Sequence, residues 1–397
     1  MRIEVLTFLR FIAALIVVIF HFGRKSVLVA PSPVFLTSGP QMVSFFFVLS
    51  GFVMVVSHWK RADQPLWQFY WARFARIAPL YFVALVATVA LLPPHDKNIV
   101  VAQALFVQAW LMGMPVSLNT PGWSISVEMF FYAIFPFALS LARDSRFRPR
   151  VLLVASLAAW AMTQVVVVYL VNARVTLATN GSLHDLIYYF PLVHLCSFLL
   201  GVTGGAWYLT EGQARRRSRL TTSLLAMASL IVCYLALEYQ GKWNVIDGVY
   251  IPTSASLMSP LFLWVVLALA RAEGPVARFF SRKPFVLLGE ASFAFYILQV
   301  PVETLYMRYL LPGRPNRGFD WSPWHFLRFL GILLVVAIAS VYLFERPVRR
   351  FMMRLIPKTG LTGLRPDPVA TPSTGDAEVA VAGVSSASLV TSGAEPG

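Results

Sequence analysis

Charge is scarce in this sequence. Asp, Glu, Lys and Arg make up 13% of 397 residues, about half the share carried by soluble globular domains. Acidic residues are the scarcer kind, 18 against 33 Lys and Arg. With 58% hydrophobic residues, that shortage excludes an ordinary soluble fold and implies a polytopic integral membrane protein. Cysteine is nearly absent: Cys196 and Cys233 both lie inside apolar runs. Two such residues exclude a disulfide framework and give no metal-ligand spacing, so no metal is expected. No repeat of 20–50 residues is visible, which argues against a repeat-built transporter.

The net charge of +15 raises nucleic acid as a partner. Its distribution argues otherwise. Basic residues come in short clusters between apolar runs, as loops beside membrane spans do, and attraction to anionic lipid accounts for them. The expected partner is the lipid bilayer, with no nucleic acid.

Ten apolar runs read as spans: Leu6–Phe22, Met42–Ser57, Ile77–Leu92, Trp123–Leu141, Val151–Val171, Tyr188–Leu209, Leu220–Leu237, Thr253–Ala270, Phe285–Leu305 and Trp324–Phe344. The first is interrupted by Arg10 and reads as a retained span, not a cleaved leader. An eleventh run, Val100–Met112, is too short to cross and reads as a re-entrant or interfacial piece. With that assignment, 21 of the 33 basic residues fall in five clusters on one side and eight on the other. The positive-inside rule then puts both termini in the cytoplasm, with the bacterial inner membrane as the expected location. The expected fold class is therefore all-α, about ten transmembrane helices with one re-entrant or interfacial segment. It spans 1–356. Residues 357–397, rich in Gly, Pro, Ser, Thr, Ala and Val without helical period, read as a disordered low-complexity tail.

A few polar residues interrupt the apolar runs. Arg10 and His21 share the first span, eleven residues apart. That is close to a whole number of helical turns, which puts both side chains on one face and ~16 Å apart along it. Ionisable groups inside a span are costly and mark function by default; the plainer alternative is a snorkelling Arg and an interfacial His. Ser50-Gly51 in the second span suits either small-residue packing or close approach to a ligand. Arg73 and Arg76 sit three apart at the edge of span three. They are either ordinary flanking charges or a guanidinium clamp for phosphate oxygens. In Pro121-Gly122-Trp123-Ser124-Ile125-Ser126-Val127-Glu128, Ser124 and Glu128 face the same way. A carboxylate one turn into a span needs a partner, and Arg10 or His21 can supply it, unless Glu128 only favours the helix start. Span nine carries Glu290, Ser292, Tyr296 and Gln299. Glu345-Arg346 closes span ten and reads as a surface terminator.

Taken in order, these elements resemble the integral membrane acyltransferase family 3. Its members resemble one another in a basic residue and a His separated by ten residues, here Arg10 and His21. An FF-x-x-SGF element follows, here Phe46 to Phe52, then R-x-x-R (Arg73, Arg76) leading into Pro79-Leu80-Tyr81. Next come W-S-x-S-x-E (Trp123, Ser124, Ser126, Glu128) and E-x-P (Glu345-Arg346-Pro347). The resemblance covers about Met1 to Arg354. It departs near span nine, where a Tyr-Leu-x-His pattern is common and this chain has Tyr296-Ile297-Leu298-Gln299.

The resemblance implies transfer of an acyl group, commonly acetyl, from cytosolic acyl-CoA to a hydroxyl of a carbohydrate or related acceptor. Exopolysaccharide, lipopolysaccharide O-antigen, a lipid-linked sugar and a small metabolite are all open as acceptors. His21 would be the general base, with Glu128 and Arg10 beside it. Arg73, Arg76, Arg10, Ser50 and Tyr81 would hold the donor, and Trp123, Ser124, Ser126, Tyr296 and Gln299 the acceptor. Acyl-CoA is a co-substrate, and no permanently bound cofactor is expected. From the residues alone, a proton-coupled secondary transporter using His21, Glu128 and Arg10 is the rival, and a scaffold of polysaccharide assembly a third reading.

Overall fold

Helix boundaries follow the apolar runs but are redrawn wherever proline or serine competes for the backbone. A computed structural model describes residues 4–23, 33–61, 64–92, 96–173, 181–212, 218–272, 274–311 and 323–356. The expected tail, 357–397, lies outside them. The helices are α1 (Glu4–Val18), α2 (Gly39–His58), α3 (Leu66–Leu91), α4 (Lys97–Ala104), α5 (Gly122–Arg143), α6 (Pro149–Asn172), α7 (Gly181–Tyr188) and α8 (Pro191–Trp207). Then follow α9 (Arg219–Glu238), α10 (Gln240–Trp243), α11 (Ser259–Ala270), α12 (Pro275–Phe280), α13 (Lys283–Ile297), α14 (Gln299–Leu310), α15 (Pro323–Ser340) and α16 (Arg346–Arg354). One small hairpin pairs Val245–Ile246 with Val249–Tyr250. Met1–Leu355 forms one compact unit.

Among the described residues, eight helices are long and apolar enough to cross a membrane, and α13 with α14 adds a ninth if the bent pair is one span. The protein is thus an all-α polytopic membrane protein. Span eight, expected over Thr253–Ala270, is helical only from Ser259 and is twelve residues long. Ser256 is the reason. It takes a left-handed φ of 67°, its Oγ lies 3.0 Å from His194 Nδ1, and its carbonyl accepts from Trp160 Nε1 at 2.9 Å. Serine side chains that bond elsewhere compete with helical backbone. Span three begins earlier than expected: α3 starts at Leu66 behind Pro65. Arg73 and Arg76 are therefore well inside a helix, not in a loop. Val100–Met112 contains no helix of crossing length, because α4 stops at Ala104 and Phe106 adopts a φ of 59°.

Two crossings hold the bundle at backbone distance. On α2, a Cβ at Gly51 would strike the Phe198 carbonyl of α8, and one at Gly201 would strike the Val48 carbonyl of α2. On α13, a Cβ at Gly289 would strike Thr7 of α1. Such contacts are how helices associate without a hydrophobic driving force between them. Gly51 is thus a packing residue, whereas its neighbour Ser50 points the other way, into the site described below. We expect Gly51→Ala to destabilise the detergent-solubilised protein by about 2–3 kcal/mol, read as a lowered melting temperature. An unchanged melting temperature would mean that α2 and α8 can separate at no cost.

Span nine is broken. α13 and α14 meet at Leu298 with a 68° bend. Pro301 has no N–H to offer the Ile297 carbonyl one turn back, and that carbonyl accepts instead from Asn119 Nδ2 at 2.9 Å. The last carbonyls of α13 are thereby open to side chains.

Candidate active site

Five helices enclose a polar cavity inside the apolar bundle. Arg10 enters from α1, Ser50 from α2, Arg73 and Arg76 from α3, Ser124, Glu128 and Tyr132 from α5, and Ser292 and Tyr296 from α13. Apolar walls come from Val43, Phe46, Phe47 and Phe293. Ser124, Glu128 and Tyr132 lie four apart and form one stripe along α5. The first two were legible from the W-S-x-S-x-E spacing. Tyr132 continues the same stripe and was missed, though the interval of four could have found it.

Glu128 is the acceptor at the centre. Tyr132 donates to its Oε1 at 2.6 Å and Ser50 to the same atom at 3.3 Å. Its hydrogen-bond partners are thus hydroxyls, not the Arg10 or His21 expected from the sequence. Arg10 lies within electrostatic range of Glu128, Arg76 and Tyr132. The Arg73 guanidinium lies over the rings of Phe69 and Tyr132, at 5.7 and 6.0 Å. The Nε atoms of Arg10 and Arg73 are buried and make no hydrogen bond, whereas Arg76 is exposed at the rim. Three guanidiniums face one carboxylate. A buried cavity with that excess of cationic donors suits an anion with several oxygens.

His21 is elsewhere. The last turn of the first span, Ile19–Gly23, is π-helical, so the helix does not keep a uniform 3.6-residue period from Arg10 to His21. His21 is not part of the cavity wall; its Nδ1 lies 2.8 Å from Gln299 Oε1 at the start of α14. Gln299 Nε2 in turn donates to the Tyr296 carbonyl at 2.6 Å. The Tyr296 hydroxyl lies 2.8 Å from Ser124 Oγ and donates to the Pro121 carbonyl at 3.3 Å. Tyr296 therefore joins the two places, with its side chain in the cavity and its backbone at the His21–Gln299 pair.

Besides His21 and Gln299, three further expected site residues do not line the cavity. Tyr81 is buried, donates to the Gln103 carbonyl at 2.8 Å and accepts from Gln108 Nε2 at 3.1 Å. It fixes the 97–110 segment against α3. Trp123 packs edge-on against Phe47 and Tyr189. Ser126 donates to the Phe106 carbonyl at 2.5 Å, holding the left-handed turn there. The motif thus divides by helix face: Ser124 and Glu128 look into the cavity, Trp123 and Ser126 away from it. Nor is Glu345-Arg346 a surface terminator. Arg346 pairs with Glu290 of α13 at 2.5 Å, and Glu345 Oε1 is buried without a hydrogen bond. No spacing or composition signal points to Asn119, Gln103 and Gln108, whose duty is to satisfy backbone carbonyls and hydroxyls.

Comparison with known proteins places these features. A family model for the acyltransferase domain matches residues 3–346. Acyltransferase MdmB of Streptomyces mycarofaciens is 29% identical over 386 residues, covering 92% of this chain and 96% of that protein. O-acetyltransferase OatA of Staphylococcus aureus (strain NCTC 8325 / PS 47) is 22% identical over 376 residues, 86% of this chain and 56% of its own length. Peptidoglycan O-acetyltransferase OatA of Listeria monocytogenes serovar 1/2a is 23% identical over 337 residues, 78% of this chain and 51% of its own. The chain thus spans about half the length of the two OatA proteins. No solved structure matches. With the family match running from α1 to the start of α16, the chain belongs to the acyltransferase domain family and is a membrane acyltransferase.

Proposed function

We propose that the protein is a membrane-embedded O-acyltransferase of the bacterial inner membrane. It moves an acyl group, acetyl in the simplest case, from cytosolic acyl-CoA to a hydroxyl of a carbohydrate or related acceptor. The observation that carries this reading is the buried cavity in which Arg10, Arg73 and Arg76 face a single carboxylate. Guanidinium forks match the phosphate oxygens of a coenzyme A donor. The exposed Arg76 would meet the nucleotide end first, and the donor's thioester arm would run inward past Arg73 and Arg10. The positive-inside count supports placing that rim, and both termini, on the cytoplasmic side. The names of the OatA relatives support a hydroxyl acceptor.

At the His21–Gln299 pair, joined to the cavity through Tyr296, His21 would take the acceptor's hydroxyl proton on Nε2 as the oxygen attacks the thioester carbonyl. The new C–O bond forms, the C–S bond breaks, and the departing thiolate takes the proton from the imidazolium. Acyl-CoA and alcohol become ester and free thiol. Apolar walls around the cavity would keep out water, which otherwise hydrolyses the thioester. Glu128, held by Tyr132 and Ser50, would keep the arginines in place and offset part of their charge.

The test is to incubate purified protein in detergent with labelled acetyl-CoA and candidate glycan acceptors. The expected result is thiol release that depends on acceptor. Absence of turnover with every donor, together with substrate uptake by reconstituted vesicles, would move the protein to the transporter reading. In the same assay, Arg73→Ala with Arg76→Ala is expected to raise the donor KM about 10- to 100-fold through lost charge-assisted bonds. A change in the acceptor KM alone would overturn the clamp.

A further inference from the structure

The His21–Gln299 contact has only one chemical solution. Gln299 is fully buried and its side chain bridges two groups. One end lies 2.6 Å from the Tyr296 carbonyl. A carbonyl oxygen only accepts, so the end facing it must be the amide NH₂. The other end, Oε1, therefore faces His21 Nδ1 at 2.8 Å. An amide oxygen also only accepts, so Nδ1 must carry a proton. A neutral imidazole has one N–H, which leaves the lone pair on Nε2.

The backbone supplies the fixed point. Tyr296 and Ile297 end α13 where the span bends by 68°. The Ile297 carbonyl goes to Asn119 and the Tyr296 carbonyl to Gln299. In an unbroken helix both would be spent on the next turn. The bend thus frees a carbonyl to orient the glutamine, and the glutamine orients the histidine. We propose that Gln299 is a positioning residue that holds His21 with its proton on Nδ1 and presents Nε2 as the basic nitrogen. The inference rests on His21 being the general base and adds which nitrogen works and what selects it. The same contact survives when the ring is protonated, since Nδ1 donates in either state. A proton can come and go at Nε2 with no ring movement.

The experiment reads the imidazole nitrogens directly. Protein labelled at histidine is compared by NMR with the same preparation of His21→Ala, which identifies the His21 signals among the six histidines. In the wild type, the Nδ1 signal is expected as N–H and Nε2 as the lone-pair nitrogen. In Gln299→Met the proton should divide between the two, and kcat should fall about 10- to 100-fold while both KM values change by less than about twofold. Gln299→Glu keeps an acceptor oxygen for Nδ1 but loses the NH₂ bonded to the Tyr296 carbonyl and adds a charge; it should keep Nδ1 as N–H and give a kcat between those of Gln299→Met and wild type. That variant carries the test if Gln299→Met does not fold. Wild-type protein with its proton on Nε2, Gln299→Met spectra identical to wild type, or a proton moved to Nε2 in Gln299→Glu would each overturn the assignment. The spectra do not require turnover. If His21→Ala retained activity while the spectra came out as expected, the base reading would fall and Gln299 would lose its catalytic part.

Discussion

His21→Ala is expected to lower acceptor-dependent kcat by about 10³-fold, within the 10²- to 10⁴-fold range of general base catalysis, with the donor KM nearly unchanged. The split follows from the layout. His21 is not in the wall of the cavity where three arginines converge, so removing it takes nothing from the surface proposed for the donor. What it takes away is the proton acceptor. Stability should fall by about 1–3 kcal/mol, because the ring is only partly buried but its loss leaves the buried Gln299 Oε1 without a donor. A variant that stays folded, with a modestly lowered melting temperature, and does not turn over would match. Turnover equal to wild type would remove His21 from the reaction, and a raised donor KM would place it in the donor site instead.

How far the site could be read in advance depended on the physical signal each residue leaves. Charged groups inside apolar runs stand out, so Arg10, Arg73, Arg76, Glu128 and His21 were legible one by one. The interval of four put Ser124 on Glu128's face, and both line the cavity. Less legible was anything decided by a helix irregularity. The π-helical turn at Ile19–Gly23 interrupts the regular period between Arg10 and His21, and nothing in LIVVIFHFG announces it. Hydropathy counted Thr253–Met258 as membrane, whereas Ser256 is committed to His194 and Trp160. Arginines at a span edge look like loop residues, yet Arg73 and Arg76 sit on the second and third turns of α3. Hardest of all were the buried amides. Asn119, Gln103, Gln108 and Gln299 act on backbone carbonyls and hydroxyls that exist only once helices bend and pack, and no spacing rule encodes that.

Glu128→Ala should cost more stability than any other single change in the cavity, about 3–5 kcal/mol, the range for removing one partner from a buried charge cluster. Glu128 is the only carboxylate lining the cavity among the described residues, opposite Arg10, Arg73 and Arg76. Two of those arginines already hold a buried Nε without a hydrogen bond, so they depend on the field of Glu128. Its loss also strips the Tyr132 hydroxyl of its acceptor and leaves the Ser50 hydroxyl only the Met54 sulfur, at 3.7 Å. Two comparisons separate these effects. Glu128→Gln keeps an acceptor for both hydroxyls and loses only the charge, so its melting temperature should fall between wild type and Glu128→Ala. Adding Arg10→Met to Glu128→Gln lowers the positive excess again and should recover part of the lost stability, a coupling of about 1–3 kcal/mol in a double-mutant cycle. Activity should not recover with it, because the reading needs Arg10 for the donor. Additive losses in the cycle would show that Arg10 and Glu128 do not sense each other, and the cavity would then be two separate polar sites rather than one balanced cluster.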